Sequence, residues 1–113
     1  VNEGARPVLV ECTDDSFIAS YDIALNKAYT SASLKMSTSE LKKLSQPGCE
    51  LYGIQYTNES KIVIFGGGEP IKAGGRVIGG IGVSGGTEAQ DTFLGEYAAK
   101  IAEEEFSCQS ILK

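Results

Sequence analysis

Ten of the chain's 14 glycines fall between residues 66 and 86, and no other feature limits the fold as tightly. A residue without Cβ permits left-handed backbone and lets another backbone, a helix or a flat ligand come close. Residues 76–84 (RVIGGIGVS) keep enough β-branched character for a strand, on which Gly79, Gly80 and Gly82 form a shallow strip. Ser84-Gly85-Gly86 follows, and then Thr87-x-x-Gln90, a capping box that opens a helix bearing Phe93, Leu94, Tyr97, Ala98 and Ile101. Free backbone N–H groups at such a helix start suit a carboxylate or a phosphate.

The remaining segments frame this one. Residues 7–11 (PVLVE) are β-prone, and Asp14-Asp15 precede a helix expected to run from Phe17 to about Lys35, where Phe17, Tyr21, Ala24, Leu25, Ala28 and Ala32 recur every three or four positions. Ser37-x-x-Glu40 starts a short second helix that Pro47-Gly48 ends. Residues 51–57 (LYGIQYT) and 61–65 (KIVIF) read as a hairpin around Asn58-Glu59-Ser60, with residues 76–84 as the next strand of a meander. The polar tail from Glu103 is expected to fray. This order lacks alternating β-α crossovers, which gives an α+β class with an antiparallel sheet flanked by helices. With 113 residues and no linker or repeat, the chain reads as a single domain spanning residues 1–113.

Several function classes fall away. A net charge of −5 without a basic cluster opposes nucleic-acid binding, and no apolar run reaches the length of a membrane span. Cys12, Cys49 and Cys108 lack the spacing of a zinc site or a disulfide framework, so reduced thiols in the cytoplasm are expected. The absence of histidine removes the commonest general base and metal ligand, and leaves Ser84 with no partner to activate it. Gly80-x-Gly82-x-x-Gly85 matches the dinucleotide fingerprint in letters only, because its first glycines fall within a strand and no second β-α-β unit follows. Asp14-Asp15 and Glu103-Glu104-Glu105 are explained by helix-end charges, and no metal site is expected. Lys27 and Asp91 read either as helix-surface charges or as a buried pair.

Three blocks carry a likeness to a known family: residues 22–30 (DIALNKAYT), Gly66-Gly67-Gly68-x-Pro70-Ile71, and residues 79–87 (GGIGVSGGT) with Gln90-Asp91. In this order and spacing, over most of residues 1–98, the chain resembles the GlcG/HbpS family of haem-binding and haem-degrading proteins. Its nearest likeness is to the C-terminal domain of PduO-type corrinoid adenosyltransferases. The resemblance implies a profilin-like fold, here with the N-terminal helix and first strand missing, whose open sheet edge a neighbouring subunit could complete. It also implies dimers or octamers, a setting in propanediol or glycolate utilisation, and haem or a related tetrapyrrole or corrinoid as ligand. Haem ligation in the family is associated with histidine, so here Cys12, Met36 or Tyr21 would have to serve.

The expected function is therefore a small-ligand-binding accessory domain, with Gly66, Gly67, Gly68, Ser84, Gly85, Gly86 and Thr87 as the cradle and Lys27 and Asp91 as polar site residues. Binding uses the glycines and needs no general base. An oligomeric scaffold without its own ligand and a haem-degrading enzyme are the alternatives.

Overall fold

A computed structural model describes residues 1–112, with side chains described through Phe106. Helix α1 (Ile18–Leu34) lies across a two-stranded antiparallel sheet of β1 (Gly68–Ala73) and β2 (Arg76–Gly82), while α2 (Thr38–Leu44) and α3 (Glu88–Leu112) complete the α+β fold. The periodicity of α1 predicts its span to within a residue at each end. Lys35 terminates it in the left-handed conformation, with φ 59°. Asp14 and Asp15 sit upstream of its first turn and supply no side-chain cap, so the dipole role expected for them is not realised. Ser37 caps α2 by accepting from the Glu40 N–H at 3.1 Å. At α3 the capping box closes in both directions: the Gln90 N–H donates to Thr87 Oγ1 (3.1 Å) and the Thr87 N–H to Gln90 Oε1 (2.9 Å). The helix then continues through the polar tail instead of stopping near Glu103.

The sheet differs from expectation. β1 lies where a glycine-rich connection is predicted, and it turns into β2 through Gly74-Gly75, both at positive φ, as a two-residue hairpin requires. Neither half of the expected 51–65 hairpin is a strand. That segment folds into tight turns at Ile54–Tyr56 and Asn58–Ser60, the latter with three successive residues at positive φ. Beyond it the Val63 N–H donates to the Thr30 side chain at 3.0 Å, which ties the segment to α1. Residues 7–11 are exposed and unpaired as well, because the edge of β2 is already occupied: Asn2 bridges Gly79, and Val1 exchanges two hydrogen bonds with Gly80. A β-prone segment becomes a strand only where it pairs with another, and residues 7–11 do not.

Glycine decides how α1 meets the sheet. A Cβ on Gly82 would collide with the Ala24 carbonyl, and one on Gly80 would come within 2.6 Å of the Ala28 carbonyl. Contact this close leaves room only for small residues on α1, and Ala28 and Ala32 are buried there; Leu41, Ile62 and Ala99 are the other buried apolar residues among those described. Polar side chains share the interior: Lys27, Thr30, Ser31 and Thr38 are fully buried.

Candidate ligand-binding site

Lys27 reaches from α1 into the joint between the sheet and α3. Its ammonium donates to the Val83 carbonyl (2.7 Å) and to Asp91 Oδ2 (3.3 Å), with the Phe65 ring face 4.8 Å away. Lys27 is wholly buried and Asp91 is 5% exposed, so the pair is a buried ion pair rather than two helix-surface charges. Burial lowers the lysine pKa, and Asp91 opposes that shift. The other carboxylate oxygen of Asp91 accepts the Gly86 N–H at 2.9 Å. Two donors at the start of α3, those of Gly86 and Thr87, are thus already satisfied by Asp91 and Gln90.

The triple glycine is equally engaged by protein. The Gly66 N–H donates to Glu88 Oε2 (2.7 Å) and the Gly68 N–H to Thr38 Oγ1 (2.9 Å). Gly67, at φ 122°, leaves so little space that a Cβ would lie 2.6 Å from the Lys27 ammonium. Glu88 also binds Lys42 at 2.6 Å; this contact and the phenyl ring over Lys27 are not signalled by any spacing in the sequence.

An open cavity of about 1230 Å³ lies beside this joint, between α1, β2, α3 and residues 8–13. Tyr21, Ala24 and Leu25 of α1, Ile81 of β2, and Leu94 and Ala98 of α3 form much of its apolar wall. Of the residues singled out by sequence, Cys12, Tyr21, Ser84, Gly86 and Asp91 are on the wall. Lys27, Gly66, Gly67, Gly68, Gly85, Thr87 and Met36 are not among its lining residues. The helical stripes that supply part of the wall are legible as apolar faces. Their period shows that they are buried or unpartnered, without showing which.

The profile of the family described as haem degrading protein HbpS-like matches residues 1–100. The chain belongs to the HbpS-like family. This HbpS-like chain is 51% identical over 98 residues to an uncharacterized 15.0 kDa protein of the dhaT-dhaS intergenic region of Citrobacter freundii, covering 87% of the chain and 69% of that protein. It is 39% identical over 84 residues to the corrinoid adenosyltransferase PduO of the same organism, covering 74% of the chain but only 25% of PduO. A crystal structure of a PduOC:heme complex superposes with a TM-score of 0.85 at 34% identity, covering 88% of this chain and 72% of that one. The family inferred from the three sequence blocks and the α+β class inferred from the element order therefore both hold for the HbpS-like chain. Among the described residues, no helix is long and apolar enough to cross a membrane and no group of three or more Cys, Asp or Glu could hold a metal ion.

Proposed function

We propose that this chain is an accessory domain that binds haem or a related tetrapyrrole or corrinoid in the cavity between α1, β2 and α3. The observation that carries the reading is the cavity itself: about 1230 Å³, walled mainly by apolar side chains and carrying a phenol and a thiol. A flat, largely apolar macrocycle suits such a wall. Its metal would find Tyr21 or Cys12 as a donor, since both are exposed on the cavity wall, whereas Met36 is not. Bound there, the iron would carry an oxygen or sulfur ligand from the protein, as in some haem proteins. The haem complex of the 34% identical PduOC structure supports the same reading.

Ser84, Gly86 and Asp91 shape one end of the site. Lys27 and the triple glycine act from behind it by holding Val83 and Asp91 in place. The assembly is a homo-oligomer, dimer or octamer, in the cytoplasm, and its setting is propanediol or glycolate utilisation. Support for self-association comes from the exposed side of α3, where Phe93 and Tyr97 stack with ring centroids 6.5 Å apart.

Haemin titration followed through the Soret band tests the function. Saturable binding is expected for the unaltered chain, with Tyr21→Phe or Cys12→Ser shifting the band and weakening binding about tenfold or more. A band that stays that of free haemin at every protein concentration rejects the proposal.

A further inference from the structure

The ionic character of the cavity is one-sided. Among the described residues its lining includes no lysine or arginine, while the acidic side chains Glu11 and Asp91 are both part of it. Three cations of the fold lie away from the lining and are held by carboxylates. Lys27 lies off the wall and is held by Asp91 and Val83, Lys42 is paired with Glu88, and Arg76 is paired with Glu3. Val1, which also lines the cavity, has its nitrogen turned to the sheet, donating to the Gly80 carbonyl at 2.8 Å. Before α3, Asp91 and Gln90 already take the N–H groups of Gly86 and Thr87, so these two are not open to an anion. A carboxylate carried into this space would lose its hydration without gaining a counter-charge, and the net charge of −5 would oppose its approach.

We infer that the site grips its ligand through an uncharged, apolar face and leaves any ligand carboxylates in water at the open side of the cavity. The inference rests on the ligand-binding reading and adds the ligand class: a macrocycle recognised by its hydrophobic plane, not by its acidic substituents. Specificity then comes from the shape of the wall formed by Leu25, Ile81 and Leu94 and from the metal donor, and carboxylate number contributes little.

The test compares haemin with haemin dimethyl ester, in which both propionates are neutral, on the intact chain at matched low cosolvent concentration and at about 50 and 500 mM salt. Dissociation constants within about threefold of each other are expected. Haemin affinity should hold or rise slightly with salt, because screening weakens the repulsion from an acidic protein. Tight ester binding with weak haemin binding also supports the inference. A tenfold or larger preference for haemin, or a tenfold loss of haemin binding at high salt, overturns it and leaves the binding function standing. Binding of neither compound by a chain whose circular dichroism shows it folded overturns both readings.

Discussion

Removing the Lys27 ammonium would leave the Asp91 carboxylate buried with only the Gly86 N–H to face it. Breaking a buried pair in this way costs about 3–5 kcal/mol. Lys27→Met should therefore lower the stability measured by urea denaturation by that amount. A change below about 1 kcal/mol would show that the pair is hydrated and dispensable. Gly82 makes a separate claim, because its missing Cβ is what lets the Ala24 carbonyl lie against β2. Gly82→Ala should cost at least the upper end of the roughly 1–3 kcal/mol typical of overpacking. Gly4→Ala is the control, since a Cβ there meets nothing closer than 3.5 Å. The chemistry of both sites could be named from sequence, but their geometry could not. Lys27 and Asp91 are 64 residues apart, and nothing local distinguishes a buried pair from two surface charges.

Local signals at the element level succeed where a segment decides its own structure. The capping boxes of α2 and α3 and the period of α1 are short-range physics, and all three helices begin where these place them. Strands depend on a partner, so residues 7–11 and 51–65 carry β propensity without becoming strands. β1 is the reverse case, since Gly68 and Pro70 disguise it. Pro70 is tolerated because its partner Gly80 turns its hydrogen-bonding groups toward Val1, and no N–H is missed. Glu69 on β1 gives this element a pH signature. Burial, with Glu96 and Glu40 adding to it, pushes its pKa up from 4.5 to about 7. The folded state then holds a proton that the unfolded chain has released between those values, so this group's contribution makes stability fall as pH rises from about 4.5 to 7. Glu69→Gln should match the parent in melting temperature at pH 4 and exceed it at pH 8. Equal melting temperatures at both pH values would contradict this assignment.

Across the whole molecule, the buried apolar set is small beside the apolar surface left uncovered. Val8, Leu9, Phe17 and Ile18 are each more than 70% exposed, and the cavity between α1, β2 and α3 has mainly apolar walls. A chain built this way gains stability from whatever fills the recess. At free haemin 100-fold above its dissociation constant, linkage predicts a gain of about 2.7 kcal/mol. A melting-temperature rise of several degrees in scanning calorimetry would report it, and an unchanged transition would contradict it. The most direct test of the cavity as the binding site is an amide NMR map with haemin added, in which the paramagnetic iron broadens nearby resonances. Ala24, Leu25, Ile81 and Leu94 should lose intensity first while Tyr56 retains its signal; broadening centred away from that wall would place the ligand elsewhere on the fold.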